Sequence, residues 1–229
     1  MNGDAARVRA FAYAVNAQLG AVRANLNVVF CPPVCYLDAA RQALPLNARL
    51  SVGAQNCHAE PQGAHTGEIS AAMLADMGCG YVILGHSERR AAGETDAVVI
   101  AKAKAAIAAG LVPILCVGES LDAYKEKRTN AWLDQQLVAI KALPASRFLI
   151  AYEPIWAIGS GLTPTTPEIS AVHRHIKSTL GSETSVLYGG SVNPGNTREI
   201  LALPEVSGAL IGGASLEIAS MQAMIAACT

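Results

Sequence analysis

Apolar residues in the first twenty-two positions recur three and four apart. Val8, Phe11, Val15, Leu19 and Val22 form one stripe that Ala12 completes, so the chain should begin with an amphipathic helix. Asn2 or Asp4 suits its N-cap. The pattern then changes to short apolar runs, each followed by turn residues and a new helical stripe. The runs are NVVFC (27–31), RLSVGAQ (49–55), YVILG (81–85), VPILCVG (112–118), RFLIAYEP (147–154), SVLYGG (185–190) and SGALIGG (207–213). Helical segments follow at 36–44, 68–78, 96–110, 130–143, 167–181, 193–203 and 215–228.

Strict alternation of strand and helix implies a parallel sheet with helical crossovers. Two architectures satisfy it: a doubly wound open sheet and a closed barrel. Short regular units with no linker between them favour the barrel, as one domain over residues 1–229. An eight-unit α/β barrel needs eight strands and eight helices. Here eight helices face only seven strands, and the strand that would precede the first helix is not in the sequence. The expected architecture is therefore seven parallel strands and eight helices. The gap should be filled by side chains or by residues around Met1, rather than by direct pairing of NVVFC with ALIGG.

Composition narrows the function. Hydrophobic residues make up 52% of 229 positions, enough for a large core rich in Ala, Val, Ile and Leu. Net charge is −1, which supplies no global basic field for nucleic acid or an anionic membrane surface. No apolar run reaches the length of a membrane span. Arg7, Arg9 and Arg23, with Asp4 as the first segment's only acid, match a transit peptide in composition, but the apolar stripe favours an amphipathic helix. Six cysteines invite a metal or disulfide reading. There is no Cys-x-x-Cys pair, and Cys31, Cys35, Cys57 and His58 match no common zinc spacing. Buried free thiols in a reducing cytoplasm are expected instead.

In parallel barrels chemistry gathers just after the strand C-termini. Those positions read GHSERR (85–90), EPIWAIGSG (153–161), GGS (189–191) and GGAS (212–215). Taken singly, a His at a strand end is commonly a hydrogen-bonded structural residue, a Glu a salt-bridge partner and a Gly pair a turn. Together they form a coherent set. Gly-rich turns leading into helices present backbone N–H groups to an anion, and phosphate is the natural candidate. A carboxylate in a dry pocket, Glu153, suits removal of a carbon-bound proton. His86 at the start of a helical turn, kept neutral by its positive end, suits polarisation of a carbonyl. The 154–164 loop, with Gly159 and Gly161 between Pro154 and Pro164, reads as a lid.

The same segments carry a close resemblance to the triosephosphate isomerase family. The motifs are CPPVCYL, VGAQNCHAEPQGAHTGEISAAML, YVILGHSERR, PILCVGES, AYEPIWAIGSG, LYGGSV and IGGASL, spread over nearly the whole chain. The resemblance implies a TIM-type (β/α)8 barrel lacking its first strand. It implies a cytoplasmic enzyme of glycolysis and gluconeogenesis that interconverts dihydroxyacetone phosphate and glyceraldehyde 3-phosphate without metal or organic cofactor. Glu153 would be the base and His86 the electrophile. Gly159, Ser191, Gly212 and Gly213 would contact phosphate, with Ser87, Glu88, Cys116 and Glu119 in support. The loop at 56–67, with Thr66 at its tip, resembles the loop through which the family forms homodimers.

Three departures qualify this. The lid ends Leu162-Thr163-Pro164 where the family often has a Lys-x-Ala type sequence, and DAYKEKRT replaces an Arg-x-x-Gly pattern. The third concerns chemistry. The family opens with a strand ending Gly-Asn-Trp-Lys-Met-Asn-Gly, whereas this sequence starts at Met1-Asn2-Gly3. The motif's lysine, which touches substrate phosphate and developing negative charge, is absent. Its loss is worth roughly 3–5 kcal/mol of transition-state stabilisation. Impaired isomerase activity is expected. The alternatives are a non-catalytic, phosphate-binding or structural barrel dimer and, more distantly, another phosphosugar barrel enzyme.

Overall fold

The computed structural model describes residues 1–22, 26–144, 147–158 and 162–228. Helix α1 (Ala5–Leu19) is capped by Asp4, whose Oδ1 accepts the Arg7 N–H at 2.9 Å. Its predicted stripe is buried at Val8, Phe11, Ala12, Val15 and Leu19. The strands are β1 (Val28–Phe30), β2 (Leu50–Ala54), β3 (Tyr81–Leu84), β4 (Val112–Val117), β5 (Leu149–Tyr152), β6 (Val186–Tyr188) and β7 (Gly208–Ala209). They pair in chain order and all in parallel. Between and after them run α2 (Leu37–Gln42), α3 (Ala71–Asp76), α4 (Ser87–Ala91), α5 (Asp96–Ala108), α6 (Leu121–Lys125), α7 (Thr129–Ile140), α8 (Thr166–Leu180), α9 (Thr197–Leu201) and α10 (Ile218–Ala227).

Ten α-helices among the described residues thus replace the eight expected from periodicity. The additions, α4 and α6, are five-residue helices at the ends of β3 and β4, too short for an apolar stripe to reveal. Other differences are of extent. The segment at 193–203 becomes helical only at Thr197. Before it, Asn193 Oδ1 accepts the Gly195 N–H and Asn196 Oδ1 accepts the Asn193 N–H, both at 2.8 Å, in side-chain-closed turns that compete with helix.

No ladder joins β7 to β1 among the described residues, so the sheet curls through seven strands and stays open at one seam. Residues Met1–Asp4 are exposed and do not plug it. The outer layer does continue across: α1 packs on α10, and Gln18 Nε2 donates to the Gln222 carbonyl at 2.8 Å. Phe11 lies against Phe30 of β1 with ring centroids 4.4 Å apart. Burial follows this plan. β4, β5 and β6 hold fully covered residues such as Leu115, Ile150 and Tyr188, whereas every residue of β1 and β7 is half-buried.

The cysteines are all free, but not all buried as expected. Cys57, Cys79 and Cys116 are buried, Cys31 and Cys228 are half-buried, and Cys35 is exposed at the start of the turn into α2. No group of His, Cys, Asp and Glu among the described residues is arranged to hold a metal. No helix among them is long and apolar enough to cross a membrane.

Candidate active site

His86 follows β3 through Gly85, whose φ of +67° turns the chain out of the sheet. A Cβ on Gly85 would stand 3.0 Å from a Val99 methyl and 3.1 Å from Arg90 Nη2, so both conformation and space demand glycine. His86 then caps α4, its Nδ1 accepting the Glu88 N–H at 3.3 Å. A ring nitrogen that accepts carries no proton, so this contact assigns the imidazole proton to Nε2. Nε2 lies 3.1 Å from Glu153 Oε1.

Glu153 stands just past β5 and is 3% exposed. Its Oε2 accepts the Ser87 N–H at 3.0 Å. Burial raises its pKa, opposed by His86 and by the hydrogen bonds from Ser87. Two glycines make room for it. A Cβ on Gly118 would fall 1.7 Å from the Glu153 carbonyl oxygen, and one on Gly189 would fall 2.9 Å from its Cγ. Cys116 is buried as well, and burial together with the Glu153 charge pushes its thiol well above the ordinary range.

Glu119 follows β4 and is fully buried. Its Oε1 accepts from Tyr152 Oη at 3.1 Å and from Trp156 Nε1 at 2.8 Å, and burial raises its pKa. The Tyr124 ring stacks on Trp156 at 4.0 Å, and its hydroxyl donates to Glu168 at the start of α8. The root of the 154–164 loop is therefore tied from several sides. The Ile155 N–H reaches the Glu119 carbonyl at 3.2 Å, and Ser191 Oγ donates to the Ala157 carbonyl at 3.0 Å. Pro154 and Pro164 are buried at the loop's two ends, while Ile158 and Leu162 are exposed. Gly159 and Gly161 lie outside the described residues, as does Arg23.

The chain thus brings His86, Ser87 and Glu153 together, with Cys116 buried on β4 where the Glu153 charge acts on it, and joins Glu119 to them through the loop root. Glu88 contributes its backbone N–H, whereas its carboxylate is 90% exposed, 4.0 Å from His86 Nδ1. Ser191 spends its hydroxyl on the loop. Gly212 and Gly213 border open space, and the Ser215 N–H and hydroxyl both turn back to the Gly212 carbonyl, at 2.9 and 2.7 Å. Gly213 opens a 3-10 turn (Gly213–Leu216), not an α-helix. Thr66 is exposed in the 56–67 loop, whose base is closed by a parallel bridge between His58 and Ser70. Tyr124, Tyr152 and Trp156 were not anticipated from sequence. Their signal in the sequence is slight: aromatic residues at and just after the end of β5 and in the short helix after β4.

The family model described as triosephosphate isomerase matches residues 1–228. A triosephosphate isomerase of Rhodopseudomonas palustris (strain BisA53) is 46% identical, over all of this chain and 94% of the relative. One of Ruegeria pomeroyi is 45% identical, over 99% of this chain and 93% of the relative. The crystal structure of the triosephosphate isomerase from Bartonella henselae superposes with a TM-score of 0.87 at 36% identity, covering all of this chain and 95% of that one. With the family model and the relatives spanning the chain from end to end, the protein belongs to the triosephosphate isomerase family and is an isomerase.

Proposed function

We propose that the chain interconverts dihydroxyacetone phosphate and glyceraldehyde 3-phosphate, with Glu153 as base and His86 as electrophile. One observation carries this reading: a buried carboxylate with a raised pKa stands 3.1 Å from an imidazole nitrogen that holds the ring's proton. Substrate enters between the two groups. The Glu153 carboxylate takes the proton from carbon 1, and the electron pair moves to the carbonyl oxygen on carbon 2, where His86 Nε2–H donates. Return of the proton from Glu153 to carbon 2, with the carbon 1 hydroxyl proton passed back to His86, completes the isomerisation. Ser191, Gly212, Gly213 and Gly159 hold the phosphate through backbone N–H groups.

The six lysines, at 102, 104, 125, 127, 141 and 177, lie on helices or the turns that end them, and none stands at a strand terminus where a substrate oxygen would develop charge. A homodimer through the 56–67 loop is part of the proposal. It is supported by the exposure of residues 60–68 and by Met73 and Val34, 55% and 46% exposed.

A coupled isomerase assay tests the function. Turnover should exceed background and fall about 10²–10⁴-fold in Glu153→Gln. Fusing a strand ending Gly-Asn-Trp-Lys ahead of Met1 should raise it. Absence of any Glu153-dependent turnover with and without that strand, together with saturable phosphate binding, would instead establish the non-catalytic phosphate-binding barrel.

A further inference from the structure

The guanidinium of Arg90 holds the ends of β3 and β4 together. Arg90 lies on α4, and its side chain is only 16% exposed. Its Nε donates to the Gly85 carbonyl at 2.8 Å, its Nη2 to the Cys116 carbonyl at 3.2 Å and its Nη1 to Asp96 Oδ1 at 2.6 Å. The parallel ladder of β3 and β4 ends at Leu84 and Leu115, so Gly85 and Cys116 are the next pair, where the strands part. Arg90 bridges their carbonyls at that point.

Both carbonyls lie one step from the reacting residues. The Gly85 carbonyl belongs to the peptide that contains the His86 nitrogen, so its direction sets how the His86 side chain leaves the backbone. The Cys116 carbonyl belongs to the peptide that leads into Val117, and the Val117 carbonyl accepts the Glu153 N–H at 2.7 Å. Asp96, the first residue of α5, fixes the third arm of the fork. A planar cation with rigidly spaced donors serves three acceptors at once. A lysine ammonium in its place reaches one or two of them without a fixed geometry.

We infer that Arg90 is a positioning residue that orients His86 against Glu153 by clamping the Gly85 and Cys116 carbonyls. The inference rests on the reading of His86 and Glu153 as the reacting pair. Misplacement of a reacting group by about 1 Å costs on the order of 10²-fold in rate, so small rotations of these peptides matter.

The test uses the full 229-residue chain with Arg90→Gln, Arg90→Lys and Arg90→Ala. Nitrogen-15 NMR of the His86 ring reads the tautomer, and the coupled assay reads kcat and KM. Arg90→Gln should turn a ring protonated at Nε2 into a mixture of tautomers. It should lower kcat about 30-fold with KM changed less than about threefold. Arg90→Lys should lie between Arg90→Gln and the parent chain. Methylguanidinium added to Arg90→Ala should restore kcat at least about fivefold, because it refills the fork. An unchanged His86 tautomer in folded Arg90→Gln, or a kcat that falls only with the folded fraction, would overturn the inference. So would methylguanidinium that raises Tm without raising kcat. If the Arg90 variants do not fold, Asp96→Asn loosens the fork while keeping it. The same tautomer shift in smaller measure is then expected, and an unchanged tautomer refutes the role. A parent chain without Glu153-dependent turnover would sink the isomerase reading alone, since the NMR comparison still decides what Arg90 does to His86.

Discussion

His173 on α8 is fully buried between Tyr152, edge-on with ring centroids 5.9 Å apart, and Tyr188 at 6.4 Å. Among the described residues neither ring nitrogen has a well-aligned partner, and burial, opposed by the Glu205 backbone, pulls the pKa down to about 4. The folded state therefore holds a neutral imidazole where the unfolded chain protonates near 6.5. Above that pH the group contributes no pH dependence. As pH falls from 6.5 towards 4 the unfolded chain binds the extra proton and stability drops, by about 3 kcal/mol in all. Urea unfolding of His173→Phe should show a midpoint that declines less over this window than the parent's. Equal slopes would mean that His173 is not the titrating group. Glu153 differs in kind. Its raised pKa places protonation of the carboxylate above the ordinary range, so with Glu153 as the proposed base the acid limb of the pH–rate profile should fall there. Both residues were visible in the sequence, His173 only as one polar position in a helical stripe. Its lack of partners is a property of the packed core.

At the scale of elements, the loops that follow strands are held by polar groups that periodicity does not report. Lys102 of α5 is 4% exposed; its ammonium pairs with Glu94 and bonds Asn56 Oδ1 at 2.9 Å. This joins α5 and the turn before it to the segment after β2. Removing Lys102 leaves the buried Glu94 carboxylate with only the longer contact to half-exposed Arg89, at 3.8 Å, so Lys102→Met should cost up to about 3–5 kcal/mol in denaturant unfolding. Adding Glu94→Gln should recover much of the loss, and a double mutant as unstable as the sum of the singles would contradict the pairing. Helix α8 begins with a capping box, the Thr165 hydroxyl accepting the Glu168 N–H while Glu168 Oε2 takes the Thr165 N–H at 2.7 Å. Thr165→Ala should lower Tm by the equivalent of about 1 kcal/mol. The alternation of strands and helices was legible because each buries a periodic face. The short helices α4 and α6 were not, because five residues show no period and are stabilised by caps at His86 and Ser120.

For the whole molecule, the open seam decides where order is weakest. Strands β2 to β6 have two neighbours each, whereas β1 and β7 have one. Amide hydrogen exchange should therefore be faster in Val28–Phe30 and Gly208–Ala209 than in β4 and β5. Uniform protection across the seven strands would show that the seam is covered in solution. Light scattering at micromolar concentration should give a dimer mass, and a monomer alone would remove the dimer from the proposal.

The sequence by itself determined the order of elements, the parallel sheet and the family, because local periodicity and long motifs are written residue by residue. It also placed His86 and Glu153 at strand ends. Only the tertiary structure decided which side chains meet there. The imidazole proton was assigned by the Glu88 N–H, the room for Glu153 by Gly118 and Gly189, and the clamp of Arg90 by carbonyls 5 and 26 residues away. Such contacts depend on how strands and loops come together in space, and no local pattern along the chain encodes them.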